Sequence, residues 1–437
     1  MNILLVGNGA REHAIAETFL RSPHKPKIFS YMKANNPGIA QLSEGVEIGN
    51  YASTHAIAQF ALHIRAEFAF IGMDEPLGLG VADVLWKAGV PCIGPTMALA
   101  KLETSKSFTR AIMNKYGIEG NPLFESFTEE NIAKAGEFTR KLDAFVVKPD
   151  GLTGGKGVWV QGDHFKSEGE GLVYARHVLE SHPAVVIEEK LEGEEFSLQC
   201  LTDGKTVLAT PPVQDHKRAF DDDLGPNTGG MGSYSDANHL LPFLTKEDVE
   251  EGLAITQKMC EALHKEIGEY YRGIMYAGLI KTKKGVKLIE FNARFGDPEA
   301  MNTMAILRSD LVDVCRAIVC QKLHTVKLEF EKKATVCKYL VPEGYPTHPV
   351  KDEKISVNEK GAALFYYASV DHREDGIYLS HSRAVGVVGV APTLLEAERI
   401  AEEGCSHVKG RVFHRKDIGT AALIAKRVKH MEEIVKR

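Results

Sequence analysis

The chain has 437 residues, 44% of them hydrophobic and 26% charged, with a formal net charge of −6; that composition belongs to a soluble globular protein of roughly three domains. The acidic balance argues against a nucleic-acid partner, and no apolar run reaches the length of a membrane span. Met1 leads straight into an apolar strand without a basic leader, so a cytoplasmic protein is the expectation, and seven scattered cysteines with no C-x-x-C pair read as reduced core residues.

From residue 1 to 94, apolar runs at 3–7, 27–32, 68–72 and 90–94 alternate with helical patterns at 12–20, 54–65 and 80–87. This βαβ order predicts a parallel sheet covered by helices, whose ligands bind beyond the carboxyl ends of strands, at 7–11 and 72–76. Gly7-Asn8-Gly9-Ala10-Arg11-Glu12-His13 invites a dinucleotide reading. Glu12 replaces the third glycine, however, and no acid between Thr18 and Ser43 could hold a ribose, which argues against nicotinamide. The first turn of that helix can still cradle a phosphate with Glu12 and His13 facing it; capping or packing is the alternative for His13.

A helix is predicted over 101–116, ending before a Gly-Asn-Pro break. Next, FVVKPDGLTGGKGV at 145–158 runs a β-branched strand ending in Lys148 into a turn whose glycines surround Lys156. Glycines let backbone N–H groups approach an anion, and the lysines supply positive charge. Gly157 stands where a P-loop needs Ser or Thr, so the loop belongs to another nucleotide-binding design, or is a glycine-rich hairpin with solvated lysines.

Strand patterns at 184–191, 195–202 and 206–213 imply antiparallel sheet; a long helix follows at 246–267, then a hairpin of 274–282 with 286–291. After a helix at 311–321, strands at 334–341, 363–370 and 384–390 suggest a C-terminal α+β domain, whose last helix opens on the capping-box pair Thr393 and Glu396.

Glu290 and Asn292 lie two apart at a strand end, so their side chains share a face and offer hard oxygen ligands for magnesium. Arg294 continues that face if the strand persists, where it can clamp a carboxylate or steady a transferring phosphoryl group. A solvated strand edge with a structural ion pair is the plainer reading. The cluster Gln214-Asp215-His216-Lys217-Arg218 and the turn Gly225-Pro226-Asn227-Thr228-Gly229-Gly230-Met231-Gly232 suit recognition of a small anion, or form a flexible surface loop.

These segments together resemble the ATP-grasp superfamily and, within it, the glycinamide ribonucleotide synthetase family. The likeness runs through nearly the whole chain: GNGAREHA at 7–14, VVKPDGLTGGKGV at 146–158, EEKLEGEEFS at 188–197, QDHKRAFDDDLGPNTGGMGSYS at 214–235 and EFNARFGDPEA at 290–300. The resemblance implies an α/β and α+β multidomain fold: a parallel-sheet domain at 1–101, an ATP-grasp domain at 102–328 with a lid at about 120–192, and a C-terminal α+β domain at 329–437. It further implies ligation of 5-phosphoribosylamine and glycine with ATP hydrolysis through glycyl phosphate, using magnesium, or manganese as an alternative, in a monomer or weak homodimer.

By the family pattern, Lys106, Lys148, Gly154, Gly155, Lys156 and Gly157 would hold ATP phosphates, Glu188 and Leu191 the adenine through their backbone, and Glu195 the ribose. Glu290 and Asn292 would hold the metal, and Arg294 the glycine or its acyl phosphate. Asp215, Thr228 and Gly229 would order the amino acid and amine, with Pro298 also contacting substrate, while Gly9, Glu12, Asp74 and Pro76 face the phosphoribosyl group. Two departures stand out: Gly278 where relatives place another metal ligand, and Met73-Asp74-Glu75-Pro76 where Gly-Pro-Glu-Ala-Pro is usual. The rivals are a ligase of another carboxylate and amine, and a nucleotide-binding regulator that has lost turnover.

Overall fold

The computed structural model describes residues 1–152 and 157–436; Gly154, Gly155 and Lys156 of the expected phosphate loop lie outside the described residues. Strands Gly45–Ile48, Lys27–Met32, Asn2–Val6, Phe68–Ile71 and Cys92–Ile93 form, in that order, a parallel sheet. Ile3, Leu4, Leu5 and Val6 are all inaccessible to solvent, because a parallel strand covered on both faces has no outward side. Strand order reverses between Asn2–Val6 and Phe68–Ile71, so their carboxyl ends, at 7–9 and 72–74, open together at a topological switch point. Residues 74–76, expected as a loop, begin the short helix Asp74–Gly78.

The helix expected over 101–116 is two, Met97–Thr104 and Lys106–Lys115, because Ser105 turns extended and caps the second by accepting from Phe108 N–H. Strands Phe124–Phe127, Val185–Glu189, Phe145–Pro149 and Trp159–Val160 make an antiparallel sheet backed by helix Glu168–Leu179. A second antiparallel sheet orders Val207–Ala209, Glu194–Thr202, Gly273–Thr282 and Gly285–Asn292. The strands read at 184–191 and 195–202 therefore belong to different sheets, and residues 190–193 cross from one to the other. Period-two patterning fixes which face of a strand is buried, not which sheet receives it.

A third sheet contains Ala334–Pro342, Val385–Ala391, Leu364–Tyr367 and Val412–Phe413, and it also takes Gln214–Asp215 and Gly232–Ser235 from much earlier in the chain. The segment 214–235 is thus sheet and hairpin, not one irregular turn: Arg218–Phe220 pairs with Leu224–Asn227. Thr393 does cap a helix, Leu394–Cys405, with its hydroxyl accepting from Glu396 N–H, but Glu396 takes the Thr393 hydroxyl instead of closing the box. The last helix is Ala421–Lys436, which the sequence reading omits. The architecture as a whole is the α/β and α+β multidomain arrangement expected.

One apolar core runs through the parallel sheet, the Gly273–Thr282 strand and the Ala334–Pro342 strand, whereas the sheet of Phe145–Pro149 has its own core around Phe127, Phe145, Val147 and Ile187. No helix among the described residues is long and apolar enough to cross a membrane.

His13 packs between the N-terminal sheet and the third sheet. Its Nδ1 accepts from Tyr367 N–H at 3.0 Å, and its ring stacks on Tyr367 with centroids 5.9 Å apart. Packing, not ligand contact, is its role here. Burial lowers its pKa from 6.5 to about 4, so the unfolded chain takes up a proton there before the folded one does. Stability from this residue is intact above pH 6.5 and drains as pH falls toward 4, by about 2 kcal/mol between pH 7 and pH 5. Urea unfolding at those two pH values should show a smaller acid loss for His13→Gln than for the parent; an equal loss would remove His13 from the account.

Candidate active site

Arg110, on helix Lys106–Lys115, donates from Nε to Glu188 Oε1 at 2.7 Å and from Nη2 to Oε2 at 3.0 Å. Lys148, on strand Phe145–Pro149, donates to the same Oε2 at 2.7 Å. Both cations also reach the carbonyl of Ile289, Arg110 at 2.7 Å and Lys148 at 3.2 Å. Burial works against ionising Glu188, but Arg110 and Lys148 outweigh it and hold the carboxyl down at about 2. Lys148 moves the other way: burial lowers its pKa despite Glu188. Two cations against one carboxylate leave this wall net positive, and the Lys148 ammonium keeps one of its three donors for an anion.

These groups line one end of a cavity of about 740 Å³. Lys106 joins them, its Nζ donating to the Gly151 carbonyl at 2.8 Å where the glycine loop begins. Leu191 and Glu195 lie on the same wall, and Glu195 is 3.7 Å from Lys217.

Glu290 and Asn292 sit at the end of strand Gly285–Asn292, both on the cavity. Burial opposes ionisation of Glu290, yet Lys217, Lys106, Lys148 and Arg294 together hold it below its usual range. An ionised carboxylate and an amide oxygen fit a hard divalent cation with oxygen ligands. Gly278 faces Glu290 across the hairpin, and a Cβ there would stand 3.4 Å from Glu290 Cγ, so that strand adds no side-chain ligand at this position.

The strand stops at Asn292, but Arg294 still reaches the cavity because Glu103 takes it up. Glu103 accepts from Ala293 N–H at 2.7 Å and pairs with Arg294 Nη2 at 3.0 Å. Burial pushes Glu103 up to about 7, against the pull of Arg294. Arg294 Nη2 also stands 3.4 Å from Asn292 Oδ1, which ties the guanidinium to the proposed metal ligand. Across from it, Asp215 Oδ1 is buried without a partner among the described residues. Burial and the nearby Glu299 raise the Asp215 carboxyl well above its usual range, with Lys217 and Arg383 opposing. A carboxyl crowded in this way gains most from a cationic ligand.

At the switch point, Glu12 accepts from Gly9 N–H at 2.7 Å and from Arg11 Nε at 2.6 Å, and it is wholly buried. A Cβ on Gly7 would stand 2.6 Å from Glu12 Cγ, and one on Gly72 would collide with its carboxylate. Glu12 is thus the post around which both loops close, and it also borders the cavity beside Gly9 and Asp74. Gly9 and Asp74 lie on the cavity wall, as do Thr228 and Gly229 opposite.

Two expected contacts fall behind the wall. Pro298 caps helix Glu299–Ile306 and packs under Gly230, and Pro76 is buried inside the first turn of helix Asp74–Gly78. Gly157 is not on the cavity surface either; its carbonyl accepts from the Tyr174 hydroxyl at 2.8 Å. Arg110, Glu103 and Arg383 were not read from the sequence. Only Arg110 carries a local signal, four residues after Lys106 on one helix face.

A lysine-lined cleft between two antiparallel sheets, with the acidic strand end of Glu290 and Asn292 on the same cavity as Lys148, is the arrangement of an ATP-grasp protein. Models of the phosphoribosylglycinamide synthetase N domain, ATP-grasp (A) domain and C domain match residues 1–103, 104–300 and 335–421, and the chain belongs to that family. It is 49% identical over 434 residues to a phosphoribosylamine–glycine ligase of Methanosarcina barkeri, covering 99% of this chain and all of that one. The crystal structure of a phosphoribosylamine–glycine ligase from Thermotoga maritima superposes with a TM-score of 0.80 at 26% identity, covering 95% of this chain and 100% of the other. The biotin carboxylase domain of a Hydrogenobacter thermophilus 2-oxoglutarate carboxylase, described with MgADP, ADP and bicarbonate, shares the fold at TM-score 0.72 and 15% identity, over 99% and 93% of the chains.

Glu188→Gln removes the carboxylate that, among the described residues, Arg110 and Lys148 share, leaving two buried cations against a neutral amide. The expected cost is about 3 kcal/mol of stability, read as a lower urea midpoint with unchanged slope when Trp159 fluorescence follows the separate sheet. A shift under about 1 kcal/mol, the worth of a surface pair, would show that the triad is not what holds the cleft.

Proposed function

We propose that the chain joins glycine to 5-phosphoribosylamine, the two substrates that its relatives' names give, consuming ATP and releasing ADP and phosphate. The observation that carries this is one cavity lined by Lys148, the Glu290–Asn292 pair, Arg294, the switch-point loops and Asp215, whose Oδ1 has no partner among the described residues. A triphosphate, a small amino acid and an anionic sugar derivative each have chemistry to meet them there.

A carboxylate is a poor acyl donor because oxide would have to leave. Phosphorylation to glycyl phosphate supplies a leaving group that an amine displaces, so the site must deliver a phosphoryl group in line and keep water away. Lys106 and Lys148 hold ATP phosphates, joined by the 151–157 loop; the backbone of Glu188 and Leu191 meets adenine, and Glu195 the ribose. Glu290 and Asn292 hold magnesium, or manganese with the same oxygen preference. An ion held by these two residues would supply positive charge to offset the negative charge of the phosphate oxygens.

Arg294, kept in place by Glu103, clamps the glycine carboxylate. Asp215 orders the two amino groups, and its raised proton affinity suits it to take the proton released when the amine nitrogen bonds to the acyl carbon and phosphate departs. Thr228 and Gly229 shape the wall beside it, while Gly9 and Asp74 face the sugar.

Coupled ADP release with freshly generated phosphoribosylamine should require glycine, and a panel of other amino acids should fail; equal turnover with another amino acid would select the rival ligase. Arg294→Ala should lower ligation by about a hundredfold or more, the loss typical of a charge-stabilising donor, with ATP affinity unchanged. Normal amide formation by that variant would refute the assignment.

A further inference from the structure

We infer that Arg383, which reaches the cavity from the C-terminal segment, receives the phosphate of the phosphoribosyl substrate. This rests on the function proposed above, which places a phosphate monoester in the cavity besides the triphosphate. A second anion needs a second cation with donors to spare. Arg110 is bonded to Glu188 through both Nε and Nη2, Lys148 has its one remaining donor at the nucleotide end, Arg294 pairs with Glu103 beside the Glu290–Asn292 strand end, and Lys217 faces Glu195 at 3.7 Å. Arg11 donates to Glu12 and to the Phe295 carbonyl.

Arg383 is different. All its hydrogen bonds among the described residues leave from one nitrogen: Nη1 donates to the carbonyls of Gly229 at 2.7 Å, Gly230 at 3.1 Å and Asp297 at 2.9 Å, and it lies 3.4 Å from Asp297 Oδ1. Nε and Nη2 make no bond among the described residues and keep some exposure, on a side chain that lines the cavity. Those two nitrogens form one edge of the guanidinium, the edge that grips two phosphate oxygens in parallel.

The group is also held still. The Tyr339 ring lies 4.5 Å from its carbon, and the Tyr339 hydroxyl donates to Asp297 Oδ1 at 2.6 Å. Gly229 lies so close that a Cβ there would stand 3.3 Å from Arg383 Cζ. A donor fixed before binding loses little freedom on binding.

Its position suits the sugar end of the substrate. A Cβ on Gly9 would stand 3.6 Å from Asp297 Oδ2, so Asp297 is the shared neighbour of Arg383 and of the N-terminus of helix Ala10–Leu20. That terminus adds its own preference for an anion. Burial works against ionising Asp297, but Arg383 and Arg11 hold it ionised, and its charge is met by Nη1 and the tyrosine hydroxyl instead of by the open edge.

The test compares the parent with Arg383→Gln and Arg383→Lys. Turnover is measured with 5-phosphoribosylamine and with ribosylamine, which lacks the phosphate. Arg383→Gln should lose about thirtyfold or more in kcat/KM for the phosphorylated amine, as expected for a lost charge-assisted pair, and about tenfold less than that for ribosylamine, which carries no phosphate to lose. Arg383→Lys, a point charge without the fork, should recover only part of the loss. KM for ATP should stay unchanged, which separates this phosphate from those of the nucleotide.

An equal loss for both amines would make Arg383 structural and overturn the inference, as would no loss at all. Thermal protection by ribose 5-phosphate relative to ribose reads the site without turnover. If the parent is protected by the phosphate ester alone and Arg383→Gln is not, the phosphate site stands even should the proposed ligation fail. Equal protection of the parent and Arg383→Gln sinks it.

Discussion

Everything at the cleft depends on the Glu188 carboxylate being buried between Arg110 and Lys148, with both cations also bonded to the Ile289 carbonyl. Glu188 and Lys148 belong to the sheet with its own core, Arg110 to a helix of the main body, and Ile289 to the strand that ends in Glu290 and Asn292. One ion triad thus joins two sheets that share little apolar contact. A carboxylate wholly out of water would normally prefer its proton, and only two cations at hydrogen-bonding distance reverse that preference. The same two cations leave excess positive charge at the place where a nucleotide's phosphates are needed, so stability and binding draw on one arrangement.

The opposite imbalance holds further along the cavity. Glu290, Asp215 and Glu299 crowd around Lys217, and the strain shows in opposite directions: Glu290 is held ionised while Asp215 is pushed toward its protonated form. Lys217, facing these carboxylates and Glu195, holds its proton more firmly than an ordinary lysine even though burial acts against it. Three carboxylates around one lysine form a charge pattern that a divalent cation and an amino group would complement. The third sheet makes the pattern possible. By taking Gln214–Asp215 and Gly232–Ser235 as its outer strands, it carries the Asp215 carboxylate and the Thr228–Gly230 turn up to the strand end of the ATP-grasp body, and brings Arg383 with it.

Much of this was legible in the residues. The β-branched run into Lys148, the period-two pair Glu290 and Asn292, and the Asp215 cluster are local patterns, and local patterns survive without knowledge of the fold. The parallel sheet was legible for the same reason, since four consecutive buried apolar residues at 3–6 leave no polar face to place outside. Arg110, Glu103 and Arg383 were not, because each acts on a partner far off in sequence: Glu188 is 78 residues from Arg110, and Gly229 is 154 from Arg383. Glu12 shows the same limit: its place in a glycine turn marks it as a candidate ligand contact, but the close approach of Gly7 and Gly72 that packs its carboxylate at the edge of the cavity is set by the fold.

The amino-acid sequence by itself determined the kinds of element, the glycine and acidic motifs, and through them the family, because backbone propensity and side-chain chemistry act over a few residues. Only the tertiary structure decided which strands share a sheet, which carboxylates keep their protons and which arginines have donors left over. Those depend on burial and on charges brought close from distant parts of the chain, and Coulomb energy in a water-poor interior is set by distances in space that no spacing along the chain encodes.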